Sequence, residues 1–299
     1  MNISIAGTGK MGSAIAARLL GLGHQVTVWN RTPARAQPLL ALGARSVAAA
    51  SDLCAGADVV ISMLTDEQAL EEVYFSADGL LTKARAGQLF IDMSTTSAGC
   101  QAGMGQRLGA AGLAYVECPV GGSVGPAKEG KLLGFAGGDA DTLARALPVL
   151  ELLCRRVEHV GAHGAGAMMK LAINLPLMVY WQTLGEALSL IEPLGLDPAR
   201  VIDIFADSSG GPNMLKVRGP MIAQALAGEK NDMVTVNLAT MRKDVRAMLA
   251  QGTQQQRHMP LTRATLASFD QAAGTGLDAA DCTRLLVWWL GQGSRSTDA

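Results

Sequence analysis

The stretch ISIAGTGKMGSAIAARLLGLGHQVTVWNRT, Ile3 to Thr32, decides the fold, because it runs from a strand through a glycine turn and a helix into a second strand. Asn2 to Ala6 reads as a short buried strand, Ser13 to Leu22 as an amphipathic helix and Gln25 to Trp29 as the second strand. Between the first strand and the helix stands Gly7-Thr8-Gly9-Lys10-Met11-Gly12, a G-x-G-x-x-G turn in the context that gives this pattern its meaning. Gly7 permits the tight turn, Gly9 lets the backbone come close to a pyrophosphate, and Gly12 lets the helix lie against the strand. The helix N-terminus presents its N–H groups to the phosphates. Together these features predict a dinucleotide-binding unit in which residues 7 to 12 hold the pyrophosphate.

In an NAD site, an acidic residue about 20 positions further on accepts hydrogen bonds from the ribose 2′-OH. None stands here, because the second strand ends Trp29-Asn30-Arg31-Thr32. An amide, a guanidinium and a hydroxyl replace the carboxylate that would repel a 2′-phosphate. NADP(H) is therefore expected in preference to NAD(H), with Arg31 stacking on or pairing with the phosphate between Asn30 and Thr32.

The chain has 299 residues, 49% of them hydrophobic, enough for one large or two ordinary folded domains. Lys plus Arg number 25 against 26 Asp plus Glu, so no global basic field argues for nucleic acid or an anionic membrane, and a small-molecule substrate is expected. Cys54, Cys100, Cys118, Cys154 and Cys282 are odd in number and form no C-x-x-C, as buried thiols in a reducing cytoplasm would be. The four histidines show no metal-ligand spacing, so no metal is expected. A strand that starts at Asn2 leaves no room for a signal or transit peptide, which points to the cytoplasm. The apolar run Leu171 to Trp181 is interrupted by Asn174 and Pro176 and falls short of the roughly 18 residues that span a membrane, so it reads as a buried helix.

Further strands are expected over Ala57 to Leu64, Gln88 to Ser94, Ala114 to Cys118, Leu132 to Ala136 and Val157 to Val160. Helices over Asp66 to Val73, Ser97 to Ala111 and Asp139 to Leu153 alternate with them, which predicts a Rossmann-type doubly wound sheet over residues 1–162. Ligands bind at the carboxyl ends of such strands, which places Met63, Leu64 and Thr65, and Ser94, Thr95 and Thr96, beside the cofactor. Residues 163–299 read as an all-α domain that opens on one long interdomain helix, 164 to 196. Helices over Asp197 to Ala206, Pro212 to Ala227, Val234 to Gln251, Pro260 to Ala273 and Ala279 to Leu290 follow, with a fraying end from Gly291. Met168 to Trp181 is apolar on nearly every face, which calls for cover, expected from a partner subunit in a homodimer or homotetramer, with cover from within the chain as the alternative.

Gly164-Ala165-Gly166-Ala167-Met168-Met169-Lys170-Leu171-Ala172-Ile173-Asn174 puts a lysine and an asparagine at i and i+4, on one helix face. A lysine in so apolar a helix is costly unless its head meets a polar cavity. Reduction of a carbonyl generates an alkoxide, and an ammonium beside that oxygen both stabilises the charge and donates the proton. Lys170 is accordingly the candidate general acid and base, with Asn174 bonding the same oxygen or a neighbouring hydroxyl. The small residues Gly121, Gly122 and Ser123, after Cys118-Pro119-Val120, expose backbone N–H groups that suit a substrate carboxylate. Lys243-Asp244 reads, on its own, equally well as a solvated ion pair.

At these residues the chain resembles the β-hydroxyacid dehydrogenase family over nearly its whole length. Four segments carry the likeness: the N-terminal G-x-G-x-M-G, a counterpart of the P-V-S-G-G substrate loop, G-x-G-x-x-x-K-x-x-x-N, and the later K-D pair. The resemblance implies that residues 7 to 12 hold the pyrophosphate, that Leu64 and Thr95 line the cofactor, and that Lys170 is catalytic. It further implies that Asn174 contacts substrate and that Lys243 reaches toward the nicotinamide. One departure is Gly121, where the family loop carries a serine; Ser123 follows two positions later. The expected function is NADPH-dependent, reversible reduction of a small carbonyl acid such as a semialdehyde, glyoxylate or a β-keto acid. The alternatives are a reductase of imines or bulkier ketones, which Lys170 argues against because related imine reductases usually lack it, and a non-catalytic dinucleotide-binding module.

Overall fold

The computed structural model describes residues 1–229, 231 and 233–293. Its backbone divides into two compact units, Met1–Ala172 and a second from Ile173 on.

The first unit is built on β1 (Asn2–Ala6), β2 (Gln25–Trp29), β3 (Arg45–Ser46), β4 (Val59–Ser62), β5 (Leu89–Asp92), β6 (Ala114–Glu117), β7 (Val120–Gly121), β8 (Leu132–Gly137) and β9 (Cys154–Gly161). They form one sheet in the order β3-β2-β1-β4-β5-β6-β8-β7, with β9 paired to β8. Pairing is parallel from β3 to β6 and between β8 and β9, and antiparallel where β8 meets β6 and β7. Around it run α1 (Lys10–Gly21), α2 (Gln37–Leu40), α3 (Glu67–Phe75), α4 (Ala98–Ala110), α5 (Val124–Glu129) and α6 (Ala140–Leu153). The long helix α7 (Ala165–Ile191) follows and continues through Pro176.

Strands buried on both faces read as continuous apolar runs, and VVIS and LFID are buried at every position. Their side chains alternate between two cores. Ile61 and Ile91 pack with Ile15, Leu19 and Val149 on one face, while Val60 and Phe90 pack with Leu70, Tyr74 and Leu108 on the other. Each such side chain contributes about 1.5–3 kcal/mol. Three helices start where the sequence supplies a cap: Asp66, Ser97 and Asp139, before α3, α4 and α6, each accept a backbone N–H three residues on.

The second unit holds α8 (Pro198–Asp207), α9 (Asn213–Leu226), α10 (Leu238–Gln254), α11 (Pro260–Ala272) and α12 (Thr283–Gly293). The expected helix from Val234 begins instead at Leu238, because the Asn237 side chain caps it through the Thr240 N–H. The expected helix from Ala279 begins at Thr283, because Asp281 bridges to Asn237 in extended backbone and accepts the Thr283 N–H at 3.1 Å. Of the fraying expected from Gly291, residues 294–299 lie outside the described residues, and α12 runs to Gly293. Among the described residues no helix is long and apolar enough to cross a membrane.

At the carboxyl end of the sheet, Asp92 is fully buried and saturated with donors. Its Oδ1 accepts from Ser62 Oγ at 2.6 Å and Ser94 Oγ at 2.7 Å, and its Oδ2 from Gln101 Nε2 at 2.6 Å. Ser94 Oγ in turn accepts the Leu64 N–H at 2.9 Å, so one carboxyl ties the ends of β4 and β5 to α4. Burial pushes this acid above the usual carboxylate range, against the pull of its hydrogen bonds. Asp92→Ala leaves those donors buried without an acceptor and is expected to cost about 3 kcal/mol or more. Urea unfolding checks this, and a variant with the wild-type midpoint would contradict it.

Candidate functional site

The glycine turn lies between β1 and α1, and its backbone is used on every side. Gly7 has φ +100°, a conformation that favours glycine, and donates its N–H to the Trp29 carbonyl at 2.8 Å. A Cβ at Gly7 would overlap the Met63 carbonyl oxygen, and one at Gly12 would overlap the Gly7 carbonyl oxygen. Gly9 differs, since a Cβ there meets nothing within 4 Å. Its lack of a side chain therefore keeps open space over the turn rather than relieving a clash.

That space and what faces it suit a dinucleotide. The first turn of α1 carries no acidic residue to compete with a phosphate. Thr8 Oγ1 is buried with no hydrogen-bond partner in the structure, a polar atom at the turn suited to a phosphate oxygen. A cleft of about 400 Å³ opens at the carboxyl ends of β1, β2 and β4, lined among others by Gly7, Gly9, Arg31, Thr32, Met63 and Leu64. Thr95 lies just past the end of β5 and is half-buried. Lys10 and Met11 open α1, the former exposed and the latter half-buried.

At the far end of this cleft the side chains divide their work. Asn30 Oδ1 accepts the Thr8 N–H at 3.0 Å and its Nδ2 donates to the Thr32 carbonyl at 3.0 Å. It braces the turn, and a carboxylate could not make the second bond. Arg31 is exposed and stands 3.4 Å from Glu72 Oε2, a pair weak enough to part for a ligand. Arg35 and Glu72 also line the cleft. The sequence marks neither: Glu72 reaches Arg31 from 41 positions away on α3, and no local pattern announces that.

The small-residue loop is more ordered than a bare turn. Val120 and Gly121 form β7, paired with Gly134 and Leu133. A Cβ at Gly121 would meet its nearest neighbours at 3.7 Å, ordinary contact, so crowding at Cβ does not explain the glycine. Gly122 has φ +124° and a Cβ there would lie 2.8 Å from Leu132, so glycine is required. Ser123 stands exposed at the start of α5.

Lys170 is buried on α7, with 9% of its surface exposed, and Asn174 follows one turn along the same helix and is half-buried. Met169 and Ile173, on an adjoining face, are exposed. Lys243 belongs to α10 in the second unit, half-buried, with its Nζ 3.2 Å from Asp244 Oδ1. All five cysteines are free thiols, and no three His, Cys, Asp or Glu side chains among the described residues gather as a metal-binding group.

No local pattern in the sequence marks Glu117. It ends β6, is fully buried, and its Oε1 accepts the N–H groups of Gly164 at 2.7 Å and Gly166 at 2.8 Å. Burial pushes its carboxyl up to about 7, with those backbone donors pulling the other way and Asp92 adding to the rise.

Residues 2–161 match the family model described as the NAD binding domain of 6-phosphogluconate dehydrogenase. Residues 164–289 match the model described as NAD-binding of NADP-dependent 3-hydroxyisobutyrate dehydrogenase. The chain is 39% identical to a 3-hydroxyisobutyrate dehydrogenase of Pseudomonas aeruginosa over 73% of its length and 74% of the relative's. It is 30% identical to glyoxylate/succinic semialdehyde reductase 1 of Arabidopsis thaliana, covering 96% of this chain and 97% of that one. Among solved structures, 3-hydroxyisobutyrate dehydrogenase of Mycobacterium tuberculosis with L-serine superposes with a TM-score of 0.81 at 29% identity, over 95% of this chain and 97% of that one.

Two expectations follow. Gly9→Ala meets no protein atom, so it should fold as wild type yet bind a dinucleotide at least about 10-fold more weakly, whereas Gly12→Ala should lose stability as well. Thermal unfolding beside calorimetric titration with NADP⁺ separates the two, and full affinity in Gly9→Ala would be the contrary result. For Glu117, a folded pKa of about 7 lies above the ordinary 4.5, so its contribution to stability is complete below the lower value and lost as pH rises through the upper. Glu117→Gln has no such loss. Between about pH 5 and about pH 8 the wild type should give up on the order of 3 kcal/mol that the variant keeps. Urea unfolding at both pH values tests this, and equal changes would count against it.

Proposed function

The chain belongs to the β-hydroxyacid dehydrogenase family, as an NAD(P)-dependent oxidoreductase of the CH–OH group of small hydroxy acids, and from this premise we propose that it works with NADP(H) on a small carbonyl acid, with Lys170 as its proton donor and acceptor. The observation that carries the reading is Lys170, a lysine buried on α7 with Asn174 one turn on.

The dinucleotide supplies a hydride for the carbonyl carbon when bound. The Lys170 ammonium donates to the carbonyl oxygen, stabilises the negative charge that develops there, and gives it the proton that completes the alcohol. In the reverse direction the neutral amine takes the hydroxyl proton. Asn174 donates from its amide to the same oxygen or a neighbouring hydroxyl and fixes its orientation. With Gly121 engaged in β7, the substrate carboxylate falls to the Gly122 and Ser123 end of the loop, where the Ser123 hydroxyl takes the place of the family serine. Lys243 serves the nicotinamide end of the cofactor. Arg31 takes the 2′-phosphate, helped by Arg35 and Thr32, with Glu72 as the counter-charge that it leaves. A second copy of the chain covers the exposed Met169 and Ile173 side of α7, in a homodimer or homotetramer.

Steady-state oxidation of NADPH and NADH against glyoxylate, succinic semialdehyde, methylmalonate semialdehyde, tartronate semialdehyde and a cyclic imine tests this. One acid should turn over with NADPH, Lys170→Met should lower kcat roughly 1000-fold or more, and Arg31→Ala should cut the NADPH preference by about 10-fold or more. Turnover of the imine alone, or activity that survives Lys170→Met, would overturn the assignment of the proton donor. An Arg31→Ala enzyme with unchanged preference would overturn that of the phosphate site.

A further inference from the structure

Helix α7 begins without a capping side chain of its own. The residues before Ala165 are Gly161-Ala162-His163-Gly164, and the first N–H groups of any helix lack intrahelical acceptors. The acceptor comes from elsewhere in the first unit. Glu117, 47 positions before Gly164, reaches from the end of β6 and takes the Gly164 and Gly166 N–H groups on a single oxygen.

Two glycines, Gly137 and Gly166, make room for this contact, and a third, Gly164, is needed for the backbone that leads into it. A Cβ at Gly137 would overlap Glu117 Oε1, and a Cβ at Gly166 would overlap the Phe135 carbonyl oxygen and come within 3.1 Å of the same Oε1. Gly164 has φ +97°, and a Cβ there would lie 2.8 Å from the Ala98 carbonyl oxygen. The G-x-G that precedes the lysine therefore has two physical causes: Gly164 takes a left-handed conformation against the Ala98 carbonyl, and Gly166 leaves room for the Phe135 carbonyl and the Glu117 carboxylate at the start of the helix. The other oxygen, Oε2, is buried with no hydrogen-bond partner in the structure, a cost that a local serine or aspartate cap would have avoided.

Gly166 and Lys170 are four residues apart and share a face of α7, so the point where the helix is clamped and the point where it presents the ammonium are one turn apart. Glu117 is also followed directly by Cys118-Pro119-Val120-Gly121, so the same residue fixes the start of the small-residue loop. We propose that Glu117 is a positioning residue for the reaction, which sets where Lys170 holds its ammonium by clamping the first turn of α7, and which touches neither substrate nor cofactor. The inference rests on Lys170 as proton donor. A shift of about 1 Å in such a group can cost up to about 100-fold in rate, so a clamp one turn away is kinetically visible.

The test uses the full-length enzyme with NADPH and either glyoxylate or succinic semialdehyde, whichever it reduces faster, in Glu117→Asp, Glu117→Gln, Lys170→Met and the double variant Glu117→Asp/Lys170→Met. Aspartate is one methylene shorter and withdraws the oxygen from both N–H groups, whereas glutamine keeps an acceptor in place. Glu117→Asp is expected to lower kcat roughly 10- to 100-fold with the KM for NADPH within about twofold of wild type, and Glu117→Gln, a weaker neutral acceptor, to lower kcat about 3- to 10-fold. The double variant should be no slower than Lys170→Met alone, because a clamp that acts through Lys170 has nothing left to position. Wild-type kcat in Glu117→Asp, a loss shared equally by the KM for NADPH, or a double variant that loses the full extra factor would overturn the proposal. If Glu117→Asp does not fold, Glu117→Gln decides: a decrease confined to kcat and absent in the Lys170→Met background supports the clamp, and any other pattern removes it. Lys170→Met at wild-type kcat would instead remove the proton-donor reading itself.

Discussion

The first strand and the first helix meet with no side chain between them, and the rest of the site depends on that approach. Gly12 lies so close to the Gly7 carbonyl that a methyl group would overlap it, and Gly7 is held in a left-handed turn by its bond to Trp29. The contact fixes the start of α1 at the carboxyl end of β1. Met63 arrives beside it from β4 through a 2.9 Å bond to the Ala6 carbonyl. Open space over Gly9, the orphaned Thr8 hydroxyl and the cleft toward Arg31 all follow from this arrangement. A larger residue at either glycine would move the helix, and the N–H groups it presents, away from the strand.

Two buried acids hold the neighbouring part of the same sheet edge. Asp92 and Glu117 are paired in register at the ends of β5 and β6, and burial raises both carboxyls. Their surroundings differ. Asp92 spends both oxygens on side chains that align the loops after β4 and β5, whereas Glu117 spends one on backbone and leaves the other without a partner. Both are costly by desolvation, offset by hydrogen bonds to three side chains at Asp92 and to two backbone N–H groups at Glu117, at places where a strand end must be held in one position. The fold thus concentrates its expensive polar groups where loops and helices leave the sheet toward the site.

Much of this was legible in the residues themselves. Runs such as VVIS and LFID mark buried strands, and Asp66, Ser97 and Asp139 mark helix starts, because period and capping are local properties. The glycine turn and the Lys170–Asn174 spacing were legible for the same reason. The two-residue strands β3 and β7 were not, since so short a segment has no period, and its pairing is set by a neighbour such as β8. The sequence pattern places the starts of α10 and α12 too early, because Asn237 and Asp281 bridge each other in extended backbone. Glu72, Asp92 and Glu117 looked like ordinary acids in sequence. Their roles come from partners 41, 30 and 47 positions away, which only the folded chain brings together. The sequence places Asn30 as a cofactor contact; in the structure its amide braces the turn.

The most direct measurement is a crystal structure of the enzyme with NADP⁺ and the hydroxy acid that it oxidises. Lys170 Nζ is expected within about 3.2 Å of the substrate hydroxyl oxygen, with the carboxylate on the Gly122–Ser123 end of the loop. A hydroxyl held by some other donor, with Nζ turned away from it, would contradict the assignment of Lys170 and the chemistry built on it.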